Sequence, residues 1–237
     1  MKKEYTESIL FPSGMSLYDL QSELERMSDI HSKIIGLSRD DIVASNNAFW
    51  VLSRLCFRFF RPIKSITRLD VTTWHWGSVG ALSNRGYDLL LEGEAVGIGI
   101  SSWAIIDLDT RRIVRPSLVK GHDEAASDDR GRPEIPMKIK NPKNPSELPP
   151  YIVTEEDIDI NGHMNNTRYT RLTEKYIEIP DIPVEYTVNY ISEARKGDRI
   201  YLSLSEGILE GKLEYKECFK AAIKPLEPKY RLKRSKS

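Results

Sequence analysis

The chain has 237 residues, enough for one large domain or two small ones with a sizeable core. Its 35 basic and 35 acidic residues balance, which argues against wholesale nucleic-acid binding while leaving room for a local basic patch. No apolar run approaches the roughly 20 residues that cross a bilayer. The start, MKKEYTESIL, has no long apolar stretch behind its lysines, so no signal peptide is expected. Cys56 and Cys218 match no metal-ligand spacing and are read as free thiols in a reducing cytoplasm.

In chain order, residues 16–35 carry Leu17, Leu20, Leu24, Met27, His31 and Ile34 at three- and four-residue steps. That is one apolar stripe of a helix, with Ser16 placed to cap it. Strand-like runs follow. AFWVLSRLCFRFF (48–60) should set Val51, Leu55, Phe57 and Phe59 on one face and Arg54 and Arg58 on the other. TRLDVTTWHW (67–76) is rich in β-branched and aromatic residues. Glu92–Gly93 reads as a hairpin turn between two further runs. Segment 121–150 holds six prolines, at 133, 136, 142, 145, 149 and 150. Proline lacks the backbone donor and fixes φ, so this stretch reads as an irregular connector, partly packed on the surface.

The second half repeats the order in fewer residues. PPYIVTEED (149–157) is an opening strand, and NNTRYTRLTEKYIE (165–178) a helix with Tyr169, Leu172 and Tyr176 on one face. Strands are expected at 184–194, 198–206 and 212–226, with a short hairpin near Gly207–Gly211. KYRLKRSKS at the end reads as a disordered basic tail. The expected fold is therefore α+β, with one helix and an antiparallel sheet, twice. The units are 1–120, a connector over 121–150, and 151–237.

The stretch DIDINGHMNNTRY (157–169) carries the chemistry. An EF-hand would take Asp157, Asp159 and Asn161 as ligands with Gly162 at the turn, but its twelfth position is Arg168, a cation, and no helix can precede it. A structural turn explains Gly162 and an Asn165 or Asn166 helix cap, yet needs only one or two of these residues. A catalytic reading uses all of them. Carboxylate, amide and imidazole sit just before a helix, whose first N–H groups are unpaired and can face an oxyanion. Histidine's ordinary pKa lies near neutrality. Glu193, in YISEARKGD (190–198), is read as lying near a strand end that could bring it to the loop.

These two motifs resemble those of the acyl-(acyl carrier protein) thioesterases of bacteria and plant plastids. AFWVLSRL (48–55), DVTTW (70–74) and SSWAIIDLDTRRIVRP (101–116) resemble the first domain of the same family, in the same order. The resemblance spans roughly 10–120 and 150–205. It implies two tandem hotdog domains, each a sheet wrapped around one helix. It also implies an enzyme that hydrolyses fatty acyl-carrier protein thioesters; no three of the four histidines have metal-ligand spacing, so no cofactor or metal is expected. By position, its Asp-x-Asn-x-His motif falls on Asp159, Asn161 and His163, and its downstream acid on Glu193. Ala194 stands where plant members carry a cysteine, which disfavours a thiol route, and Cys218 lies outside the motif.

The expected chemistry is water activation by Glu193 with His163, direct attack by Glu193 being the lesser variant. Asn161 would position the water or the thioester oxygen, and Asp159 would orient His163 or Asn161. Backbone N–H groups near Gly162–Met164 would face the oxyanion. FPSGMSLYDL (11–20) lacks such a set; the resemblance implies that the first unit holds much of the acyl chain and sets its length, with the helix stripe and Phe49, Trp50, Trp74 or Trp103 as candidate lining. The acidic carrier protein would meet Arg54, Arg58, Arg111, Arg112, Arg168 and Arg171. His31, His75 and His122 are read as packing or surface residues. A coenzyme A thioesterase of the same fold, a dehydratase and a non-catalytic acyl-thioester-binding protein are the competing readings. Two hotdogs in one chain already form a pseudo-dimer, so monomer and homodimer are both open.

Overall fold

The computed structural model describes residues 3–64, 66–127 and 130–231; residues 232–237, most of the expected basic tail, lie outside that set. The first half runs β1 (Glu4–Leu10), α1 (Leu17–Ile34), α2 (Arg39–Asn46), β2 (Ala48–Phe59), β3 (Arg68–Val79), β4 (Leu82–Leu91), β5 (Glu94–Asp107) and β6 (Ile113–Val114). The second runs β7 (Ser146–Ile152), α3 (Asn166–Tyr176), β8 (Val184–Tyr190), β9 (Arg199–Ser205), β10 (Ile208–Leu213), β11 (Lys216–Pro225) and α4 (Pro228–Arg231). All pairing is antiparallel, in the order β1-β3-β4-β5-β2-β8-β11-β10-β9-β7, with β6 on β5. This is the hotdog arrangement, doubled into one sheet.

α1 forms where the stripe places it. Ser16 accepts the N–H of Asp19, and Leu17, Leu20, Leu24, Met27 and His31 are buried, whereas Ile34 is exposed. α3 is capped by Asn165 and buries Tyr169 and Leu172, with Tyr176 half-buried against the same core. Both helices pack into one continuous core with Leu55, Phe57, Phe59, Tyr186 and Phe219. Burying these side chains is the main stabilising term, at about 1.5–3 kcal/mol each.

The halves are joined by β2 against β8, where Arg54 to Arg58 pair with Asn189 to Glu185. At this seam Arg58 Nε meets Glu185 Oε2 at 2.7 Å, and Lys224 Nζ reaches Glu185 Oε1 at 3.0 Å. Burial pushes the Glu185 carboxyl pKa up, but hydrogen bonds from Arg58 and Lys224 outweigh this and hold it below its ordinary value. The proline-rich connector lies over the same seam. Arg58 donates to the Glu134 carbonyl, Arg54 to that of Pro136, and Ile139 N–H to Asn189 Oδ1. Tyr230 of α4 stacks on Arg58 at 4.1 Å, so the tail begins as a helical turn rather than as free chain.

Several expectations are corrected. The β2 ladder slips between Leu52 and Arg54, leaving Ser53 as the extra residue. The alternation changes phase there, so Leu52, not Val51, shares the inner face with Leu55. The run 212–226 is broken at Glu214–Tyr215 into a β10–β11 hairpin, and Gly211 sits inside β10. A Cβ on Gly211 would meet the Phe219 ring at 2.2 Å, so glycine there serves close packing instead of a turn. β1 and α2 were not foreseen. The hairpin at Glu92–Gly93 forms, with both residues at positive φ.

Candidate active site

The loop from Asp159 to Met164 is organised by one carboxylate. Asp159 Oδ1 accepts the N–H groups of Asn161 at 2.8 Å and His163 at 3.1 Å, and Oδ2 accepts the Asn161 side-chain amide at 3.2 Å. Gly162 makes the turn at φ 78°, where a Cβ would be strained. Asp159 therefore orients Asn161 and the backbone of His163, not the imidazole. Asp157 plays a separate part. It is buried and accepts from Tyr151 Oη, Thr154 N–H and Thr154 Oγ1. Those bonds occupy Oδ2, the calcium pattern's first oxygen donor, as a turn anchor.

Glu193 does not end a strand. β8 stops at Tyr190, and Glu193 rides the following loop, held by Ile191 and Ser192 N–H groups on the Cys218 carbonyl. The Met164 N–H donates to the Ala194 carbonyl at 2.8 Å and ties this loop to the first one. The result brings His163 Nε2 and Glu193 Oε2 to 3.2 Å, with both side chains partly open to solvent. Arg111 Nη2 stands 3.9 Å from the same carboxylate oxygen.

The expected oxyanion donors are otherwise engaged. Gly162 N–H goes to the Asp159 carbonyl, His163 N–H to the Asp159 carboxylate and Met164 N–H to Ala194. Among the described residues the N–H of Asn166, the first residue of α3, has no partner, and Asn166 faces the same groove. Cys218 is buried, its S–H donating to the Ser192 carbonyl at 3.3 Å with Tyr169 Oη 3.7 Å from the sulfur, and burial pushes its thiol up to about 11. Cys56 is buried and pushed up to about 12 for the same reason, so neither thiol is an activated nucleophile.

A groove of about 590 Å³ contains Asp159, Asn161, His163, Met164 and Glu193, and Phe49, Trp50 and Trp103 from the first half line it. Trp74 is not part of it. It lies on the outer face of β3, against Gly86 and beneath Arg130, because its neighbour Thr73 takes the inner position beside Arg85. Arg58 is withdrawn as a contact for a partner, since it is 2% exposed and ion-paired at the seam. Arg54 is half-buried beneath the connector. Arg168 is tied to the Glu156 carbonyl and, with Arg171, flanks the Tyr18 ring. Arg111 and Arg112 are exposed, and Arg111 stacks on Phe49 at the groove mouth. Sequence reasoning missed Arg195, Arg199 and Lys216, which join Arg111 around an open hollow of about 930 Å³ beside Glu193. Their sequence signal was faint, being three cations spread over two segments. His31, His75 and His122 are buried; Arg85 donates to His31 Nδ1, and His75 and His122 pack edge to face at 4.5 Å.

Comparison with known proteins agrees with this architecture. A family model for the acyl-ACP thioesterase N-terminal domain matches residues 7–117, and one for the acyl-ACP thioesterase C-terminal domain matches 140–224. An acyl-ACP thioesterase from Bacteroides thetaiotaomicron superposes with a TM-score of 0.79 at 21% identity, over 93% of this chain and 97% of that one. A 12:0-ACP thioesterase from Umbellularia californica superposes with a TM-score of 0.68 at 17% identity, over 95% of this chain and 98% of that one. No curated protein sequence matches the chain. With both domain models in order along one doubled hotdog sheet, the chain belongs to the acyl-ACP thioesterase family, whose members are thioester hydrolases.

Proposed function

We propose that the chain hydrolyses fatty acyl-carrier protein to free fatty acid and carrier thiol, with Glu193 as general base. The observation that carries the reading is the 3.2 Å contact between His163 Nε2 and Glu193 Oε2 in a groove shared with the first half. Glu193 takes a proton from water as the water oxygen bonds to the thioester carbon. His163 holds the carboxylate and passes the proton on. The carbonyl oxygen becomes an oxyanion, met by the Asn166 N–H and by the Asn161 amide hydrogen not given to Asp159. When the carbon–sulfur bond breaks, the thiolate leaves and takes up the proton. Prepositioned donors at a helix start stabilise such charge without reorganisation.

The acidic carrier protein docks at the hollow beside Glu193, on Arg111, Arg195, Arg199 and Lys216, with Arg112, Arg168 and Arg171 further out. This places its thioester arm at the groove mouth. Free-thiol release from matched carrier protein and coenzyme A thioesters tests the reading. Carrier protein turnover should exceed coenzyme A turnover, and the excess should fall as salt screens the cations. Equal rates at every ionic strength would contradict carrier docking, and release from coenzyme A alone would favour the rival substrate.

A further inference from the structure

Resting on that thioesterase reading, we infer that the acyl chain this enzyme takes ends in a carboxylate, which binds Arg85 in a cavity between α1 and the first-half sheet. The cavity, of about 160 Å³, shares Trp50 and Trp103 with the catalytic groove, so it lies where an acyl chain running inward from His163 would arrive. Leu37, Trp50 and Trp103 give it an apolar side, and Ser28, Ser32, Ser83 and Arg85 add polar groups to its lining.

Arg85 is 6% exposed, and no carboxylate lies within ion-pair distance of it among the described residues. Its Nη1 donates to His31 Nδ1 at 2.7 Å and Thr73 Oγ1 at 3.2 Å, and its Nη2 to Ser32 Oγ at 3.0 Å. Three of five N–H groups are thus used, all on neutral acceptors. Nε–H and one Nη2–H are left, and a carboxylate can take such a pair side-on. Glu25, in the same cavity, makes no ion pair with the guanidinium and instead accepts from Gln21 Nε2 at 2.8 Å. Asp29 turns outward to Lys33 at 2.7 Å. A buried cation without an anion is costly, and a tail carboxylate would supply the missing charge.

The test compares thiol release from acyl-carrier protein thioesters of matched length ending in methyl, hydroxyl or carboxyl, with wild type, Arg85→Met and Arg85→Lys. Wild type should prefer the carboxyl-terminated member. Arg85→Met should reduce the carboxyl-to-methyl ratio of kcat/KM roughly 10–100-fold, and Arg85→Lys should restore part of it. Should Arg85→Met fail to fold, inhibition of wild type by free dicarboxylic against monocarboxylic acids gives the same comparison, with the diacid expected to be stronger. Release in which wild type prefers the methyl or hydroxyl terminus overturns this inference alone. No release from any thioester overturns the thioesterase reading and this inference with it.

Discussion

The two halves are built alike and end differently at their helix starts. In the first half the N-terminus of α1 is closed. Ser16 takes the Asp19 N–H, and the Glu174 carboxylate of α3 takes the N–H groups of Leu17 at 2.7 Å and Tyr18 at 3.2 Å. In the second half, Asn165 caps α3 through the Thr167 N–H, and the Asn166 N–H is left without a partner among the described residues, in a residue that lines the groove. The first half also has the longer elements, with an 18-residue α1 against the 11-residue α3, and a 14-residue β5. A closed helix start with long strands makes a wall for a chain. An open one, beside a His–Glu pair, makes a place for chemistry. Under the proposed function, the two duties would be divided between copies of one architecture, and Glu174 links them.

The comparison breaks most severely if the open end loses its acid. Glu193→Gln should lower kcat about 10²–10⁴-fold while leaving the melting temperature near wild type, since the side chain is partly exposed. The next effect is on the seam that holds the halves in register. Arg58→Ala leaves Glu185 buried beside a single half-exposed lysine and should cost about 3–5 kcal/mol in denaturant unfolding. The same pair makes the seam acid-labile. Glu185 has a lowered folded pKa, so its contribution is present above the ordinary value of 4.5 and is lost as pH falls through the folded pKa. A pH series of melts should show that loss in wild type and not in Arg58→Ala.

Smaller changes sharpen the contrast. Glu174→Ala removes the acceptor for two N–H groups of α1 and should cost about 1–2 kcal/mol without lowering kcat per folded molecule. Glu25 adds a pH-dependent contrast within the first half. Its folded pKa lies above its ordinary value, so wild-type stability should decline as pH rises from about 4.5 to about 7. Glu25→Gln, which keeps an acceptor for Gln21, should flatten that slope in thermal melts.

Much of this organisation was legible because it is local. The α1 stripe, the Ser16 and Asn165 caps and the Glu92–Gly93 turn each declare themselves within a few residues. The Asp159-Asn161-His163 spacing works the same way, because Asp159 closes its own loop. What was hidden depends on distant partners or on missing punctuation. α2 buries only Ile42, so it shows no stripe, and the Glu214–Tyr215 turn carries none of the usual turn residues. The Ser53 bulge shifted the phase of β2. Arg58 reads as a surface cation until the connector and Tyr230 cover it, and Trp74 reads as pocket lining until the β3 register turns it outward. The oxyanion donors were misplaced because the loop's own hydrogen bonds cannot be counted from sequence.

The most direct test of the division of labour is single-turnover thiol release from acyl-carrier protein by wild type, Glu193→Gln, His163→Ala and the double variant, with a melt of each. If the two residues act as one unit, the double variant should be about as slow as Glu193→Gln alone, with all four melting together. Near-normal release by Glu193→Gln, or losses that simply multiply in the double variant, would contradict the assignment of the chemistry to this pair.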